Sequence, residues 1–294
     1  MQFQEETELT IPSKVFIFKE FYGRIIDNMP LLLSGKDKEG NIIDVPRKPI
    51  TPKRLMHVRV HGENENDRQS LRKNYVHTAY PIINDPNNTG ESVIASYSEP
   101  IVKEIVDSLN PKSKIRNYSL DINGDIYQAI RSCGTKLIIP ASVANNLRSD
   151  GYSEPKTRRE AWEFVAEGDV RLVDDTLKMV VAEKGGSFNN RMGWFFSKYT
   201  GLRLLGVGSV GSNSSADAYV SFLDGDNGRL VGECAGGANA RESIDTTVTR
   251  TESDIIVPKP KEIMEGVYAH IQGISATERV TKKGLLEAIK AYYK

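Results

Sequence analysis

Turn-forming residues break this chain at irregular intervals, and that irregularity constrains the fold more than any motif does. Gly35, Gly40, Pro46, Pro49 and Pro52 punctuate residues 34–54, and residues 62–74 open on the polar run Gly62-Glu63-Asn64-Glu65-Asn66-Asp67. Asn84-Asp85-Pro86-Asn87-Asn88-Thr89-Gly90 is a dense cluster of turn formers. Strand-like and helix-like stretches alternate between these breaks without a regular βαβ rhythm. A doubly wound parallel sheet needs that rhythm. The expected class is therefore α+β, with a mixed or antiparallel sheet and packed amphipathic helices. Residues 1–115 read as a strand- and loop-rich region and residues 116–294 as an α+β region, either as two units or as one continuous domain.

Local patterns fill in the elements. Val15-Phe16-Ile17-Phe18 reads as a strand, as does Leu55 to His61, where Met56, Val58 and Val60 alternate with His57, Arg59 and His61. Residues 62–74 read as an exposed loop. Ser98-Glu99-Pro100 opens a helix with Ile101, Ile105 and Leu109 on one face, and Asp125 to Cys133 is a second helix. Lys136 to Ile139 is a short strand stopped by Pro140, and Arg158 to Ala166 a third helix. Val170 to Val173 and Leu177 to Val181 read as a hairpin around Asp174-Asp175. Phe188, Met192, Phe195 and Tyr199 fall at helical spacing before Gly201 and predict an amphipathic helix. Strands are expected at Leu202–Leu205, Ala218–Leu223 and Arg229–Cys234, the last two joined by the turn Asp224-Gly225-Asp226-Asn227-Gly228. Two helices, 261–271 and 282–293, close the chain.

Charge narrows the partners. Among the 294 residues, 39 Lys and Arg balance 39 Asp and Glu. That balance argues against a chain devoted to non-specific nucleic-acid or anionic-membrane binding, which draws on excess basic charge. A near-neutral surface also does little to oppose self-association. Hydrophobic residues make up 39% of the chain, enough for a core. The two cysteines, Cys133 and Cys234, are too few for a disulfide framework and read as buried structural thiols in a reducing compartment. The polar, acidic start Met1-Gln2-Phe3-Gln4-Glu5-Glu6 is unlike a secretory leader, and no apolar run is long enough to cross a bilayer, so a cytoplasmic or virion location without membrane contact is expected.

Three motifs carry chemistry. Gly206-Val207-Gly208-Ser209-Val210-Gly211 matches the dinucleotide fingerprint, but Ser212-Asn213-Ser214-Ser215 is a poor helix start. Only twelve residues separate Gly211 from Asp224, too few for a helix, a loop and a strand, so the run reads as a Gly/Ser loop. Asp217 and Glu233, one near the start of a strand and one on the next, are similar in layout to the two-strand core of metal-dependent nucleases, where such acids hold Mg²⁺ and activate a water. That core usually continues Glu-x-Lys, whereas Cys234-Ala235 follow Glu233 here. Between residues 41 and 80, eight Lys and Arg face four Asp and Glu, with three of the four histidines. Arg47, Lys48, Lys53, Arg54, His57, Arg59 and His61 are the candidate phosphate contacts, with Tyr75 and Tyr80 available for stacking.

No catalytic signal dominates, while long polar segments abound. The leading expectation is a structural or assembly protein that self-associates as a homo-oligomer, such as a viral or phage structural subunit, needing no cofactor. The alternatives are an Mg²⁺-dependent nuclease using Asp217 and Glu233, and a nucleic-acid-associated binder using the basic segment.

Overall fold

A computed structural model describes residues 17–85, 87, 89–217 and 222–234. The described residues form eight α-helices and eleven strands of one mixed sheet, an α+β fold. At its centre is β3 (Val76–Asn84), whose nine residues are all buried. It runs antiparallel to β9 (Gly201–Val207) and, at Leu230 and His77, parallel to β11 (Arg229–Cys234). Beyond β11 lie β1 (Phe18–Tyr22) and β2 (Arg47–Pro49), both antiparallel to it. Beyond β9 come β10 (Ala216–Asp217) and then β8 (Trp194–Phe195). The sheet also branches: β4 (Ser92–Ala95) joins the far end of β3 to β7 (Lys136–Ile139), while the hairpin β5 (Ile115–Arg116) and β6 (Ser119–Leu120) leans on β9. Strands from both sides of residue 115 therefore interleave in one sheet.

Pro81 lies inside β3 and cannot donate to the ladder, a position usually confined to edges and bulges. The pairing of β3 with β9 shifts register between His77 and Pro81. Within that bulge the Ala79 N–H donates to Ile50 O at 2.9 Å, and the Thr78 hydroxyl donates to Leu205 O at 3.0 Å. The central strand thus keeps these two groups paired while bending.

The helices are α1 (Ile25–Ser34), α2 (Pro52–His61), α3 (Glu65–Lys73), α4 (Pro100–Asp107), α5 (Gly124–Ser132), α6 (Ala141–Ser149), α7 (Pro155–Val165) and α8 (Val170–Lys184). Side chains cap several of them: Thr51 accepts from the Arg54 N–H, Asn64 from Asp67, Asn123 from Ile126 and Asp169 from Leu172. The expected helices at 98–109, 125–133 and 158–166, and the strands at 136–139, 202–205 and 229–234, are present within a few residues of their expected bounds.

Four expectations are corrected. Leu55 to His61 is helical, because Thr51 and Pro52 start a helix and Leu55, Met56, Val58 and Arg59 bury one helical face. Its apolar alternation is a coincidence of that face. Residues 62–74 hold α3, with an Asn64 cap, acids in its first turn and Arg72 and Lys73 in its last. Asp174-Asp175 makes no turn: Leu172, Val173, Thr176 and Val180 line the buried side of α8. The helix expected over 188–199 is a 3-10 turn at Phe188–Asn190 followed by β8. Met192 has φ +53°, which stops a helix, and its carbonyl accepts from Trp162 Nε1 at 2.7 Å. Trp194 and Phe196 are in the core, while Phe195 is half-buried and Tyr199 partly exposed. The segment 218–221 and the two closing helices lie outside the described residues.

Arg59 ties the α2 side of the sheet together. It is 1% exposed, and its guanidinium donates to Leu71 O (2.8 Å), Gly208 O (2.9 Å), Asn74 O (2.9 Å) and Ser214 Oγ (3.1 Å). Burial lowers its pKa to about 9, with Arg229 and Arg72 contributing, so it stays charged at neutral pH. Removing it orphans several buried carbonyls at once. Arg59→Ala is expected to cost about 3–5 kcal/mol in urea denaturation, the range for breaking a buried charged network. A loss below ~1 kcal/mol would show that the carbonyls find water instead.

Candidate binding cavity

Three local features build a cavity beside the bulge. First, Gly206 of β9 has no side chain, and a Cβ there would lie 1.6 Å from the Tyr75 hydroxyl. Tyr75 can therefore lie directly over the β9 backbone. Its ring meets the His77 ring edge to face at 5.0 Å. Second, Phe222 is held from outside: it stacks on Tyr118 at 4.2 Å and covers the Arg203 guanidinium at 5.5 Å. Arg203 is itself fixed by bonds to Ser119 Oγ and Asn117 O, both at 2.7 Å. Third, the turn leading into β11 packs so closely that a Cβ on Gly228 would sit 2.2 Å from Gly23 O. Tyr75, His77, Phe222, Gly225, Asn227 and Gly228 line a half-open pocket of about 440 Å³, a volume typical of small-ligand sites.

His77 lies behind the lining of this cavity. It is 2% exposed, and its Nδ1 lies 3.2 Å from Arg229 N and 3.3 Å from Arg229 O. The tautomer decides which of the two Nδ1 engages: unprotonated it accepts from the Arg229 N–H, protonated it donates to the Arg229 carbonyl. Nε2 has no hydrogen-bond partner among the described residues. Burial pulls the His77 pKa down to about 4, the Arg229 contact offsetting this slightly, so the ring is neutral at physiological pH. Arg229 holds its own side chain away, on Glu20 and over the Tyr22 ring at 5.1 Å.

The residues singled out in the sequence are differently placed. Arg47 is buried, its Nε 2.7 Å from Asp44 Oδ2, and Arg59 is the buried tie of α2. Lys53 pairs with Glu167 at 3.1 Å and Arg54 with Glu233 at 2.7 Å. His57 and His61 are exposed on α2, ring centroids 5.3 Å apart, with Asp175 3.9 Å from His61. Lys48 is exposed on β2, and Tyr80 is buried with its hydroxyl on Glu167. The basic surplus of the sequence is thus largely taken up by buried carbonyls and acids.

Asp217 and Glu233 are not brought together. β9 and β3 stand between their strands, which places the strands roughly 14 Å apart at about 4.8 Å each. Asp217 is level with Gly206, His77 and Leu230, so Glu233 lies further along β11 as well. One Mg²⁺ needs ligand oxygens within ~2.1 Å of itself. The glycine run 206–211 ends β9 and enters a 3-10 turn at Val210–Ser212, with no α-helix after it among the described residues. Among the described residues no three His, Cys, Asp or Glu side chains gather into a metal-holding group, and no helix is long and apolar enough to cross a membrane. Cys133 and Cys234 are free and half-buried. Along the sequence His77 is one of several neighbouring histidines and Tyr75 a stacking candidate, but no spacing marks the two as one site.

The low His77 pKa makes stability depend on pH. The folded value, about 4, lies below the ordinary 6.5, so between those values the unfolded chain binds more protons. The contribution is complete above pH 6.5 and is lost as pH falls toward 4, converting to roughly 3 kcal/mol. Denaturation series at pH 7 and 4.5 are expected to show this loss, with His77→Asn removing most of it. An equal pH dependence in wild type and variant would assign it to other groups.

No protein-family model and no curated protein matches the sequence. Among solved structures, the chain is similar to one described as the accommodation of massive sequence variation in Nanoarchaeota by the C-type lectin fold. The two are 13% identical with a TM-score of 0.50, over 74% of this chain and 97% of the other. At that identity the likeness is one of fold alone: the described chain resembles a C-type lectin fold.

Proposed function

We propose that this chain is a recognition module, a C-type lectin-like scaffold whose loop-walled cavity takes up a small apolar group. The observation that carries the reading is the pocket of about 440 Å³ lined by Phe222 and by the Tyr75–His77 ring pair. A largely apolar pocket of this size is the usual form of a small-ligand site. The neighbour's fold is described as accommodating massive sequence variation. Here the irregular residues Phe222, Gly225, Asn227 and Gly228 line one side of the pocket. A panel of small aromatic compounds, screened by ligand-observed NMR, is expected to yield binders. Asn227→Trp, at an exposed rim position, should weaken them at least tenfold by filling the mouth. A panel that gives no binder at millimolar concentration rejects the reading.

Self-association, expected from the neutral net charge, is a second reading supported by one observation. Ile42 and Ile43 are exposed side by side (44% and 42%), beside the bridge between Lys36 and Ile42. Sedimentation equilibrium should then show an oligomer that Ile42→Ser with Ile43→Ser dissociates. A monomer at high concentration would remove this reading and leave the cavity untouched.

A further inference from the structure

Away from the pocket, α2 packs against α8, and two histidines stand beside that junction. His57 and His61 are one helical turn apart on α2, so both rings leave the same face. Both are exposed, and neither ring is engaged in a hydrogen bond among the described residues. Their centroids lie 5.3 Å apart, with the ring planes inclined at 59°. Asp175 of α8 faces the second ring, its Oδ2 3.9 Å from His61 Nε2. We infer that His57, His61 and Asp175 form a surface site for a borderline divalent cation of the Zn²⁺ class, which clips the last turn of α2 to α8.

The spacing fits the chemistry. A zinc–imidazole bond of about 2.0–2.1 Å puts each ring centroid roughly 3.2 Å from the metal. Two such rings at a tetrahedral angle stand about 5.2 Å apart, close to the observed 5.3 Å. A nitrogen and an oxygen on one Zn²⁺ lie about 3.3 Å apart, so the 3.9 Å from His61 to Asp175 asks only a small side-chain rotation. As it stands, Asp175 is turned to Lys178 Nζ at 2.9 Å, and the three side chains stop short of a closed group. An exposed ion pair of that kind holds a carboxylate weakly. Imidazole nitrogens suit Zn²⁺, Ni²⁺ and Cu²⁺, whereas Mg²⁺ and Ca²⁺ seek oxygens. The charges around the site are Lys53, Arg54 and Asp169 beside His57, with Arg171 and Lys178 beside Asp175. Lys53 and Arg54 are themselves taken by Glu167 and Glu233. Histidines kept only as solvent-facing polar residues would bind zinc no more tightly than a single imidazole does.

The full chain, stripped with a chelator and titrated with ZnCl₂ by calorimetry at neutral pH, is expected to bind an ion at this site and to give no heat with MgCl₂. His57→Ala and His61→Ala alter exposed positions, and each should weaken zinc binding about a hundredfold, because either one breaks the chelate. Asp175→Asn should weaken it by a smaller factor, while Lys178→Ala, which frees the carboxylate, should tighten it. Zinc should raise the Tm of the wild type and of neither histidine variant, since an ion that binds only the folded chain stabilises it. In ¹H–¹⁵N correlations of the histidine rings, His57 and His61 should shift together and the buried His77 should stay in place. Zinc binding that survives both histidine variants would put the ion elsewhere and overturn the inference. A shift at only one of the two rings, or an Asp175→Asn variant as tight as the wild type, would overturn it too. None of these outcomes bears on the pocket beside β3.

Discussion

A strand buried along nine consecutive residues has no water to satisfy its backbone, so each N–H and C=O of β3 must find a protein partner. Pro81, which has no N–H, makes a straight ladder impossible there. The bulge between His77 and Pro81 resolves this, but it frees groups that other segments must take up. Ile50 O receives the Ala79 N–H, which brings the end of β2 against the centre of the sheet. The same bend sets the start of β3, and with it His77, between β9 and the turn into β11. The cavity is therefore a by-product of how the central strand is kept satisfied.

Buried arginines play a related part elsewhere. Arg59, Arg158 and Arg203 are all nearly inaccessible, and each donates to a carbonyl in an irregular segment. Arg158 bonds Phe188 O at 2.7 Å and lies over the Tyr152 and Phe188 rings, holding the segment where a helix was expected. A guanidinium presents five donors in a fixed fork, so one side chain can close several orphan acceptors at a chain reversal. A fold with this many non-repetitive segments needs such ties, and they explain why local charge along the sequence is a poor guide to the surface.

Legibility in the sequence followed the strength of local signals. The helices at 100–107, 124–132 and 155–165 each carry a cap or an early proline with a clear apolar face, and those signals act within a few residues. α2 and α8 were hidden because a buried helical face can mimic alternation, and because two aspartates resemble a turn when both simply face outward. The central strand had no place among the expectations at all. Its sequence, VHTAYPIIN, mixes a proline with polar residues, and only long-range pairing makes it a strand. The candidate site was illegible for the same reason. Tyr75, His77, Gly206 and Phe222 are joined by strand register, which no local window contains.

The clamp on Phe222 has a consequence for how anything enters the pocket. Phe222 is stacked on Tyr118, whose backbone is left-handed like that of Asn117 before it, and the Asn117 carbonyl is fastened to Arg203 beneath. To swing Phe222 aside, the tight hairpin and the arginine would have to rearrange together, a costly motion in a packed region. The opposite lip, from Gly225 to Asn227, is a glycine followed by the exposed side chains of Asp226 and Asn227. Among the described residues, access to the pocket is therefore easier past Gly225 to Asn227 than past Phe222.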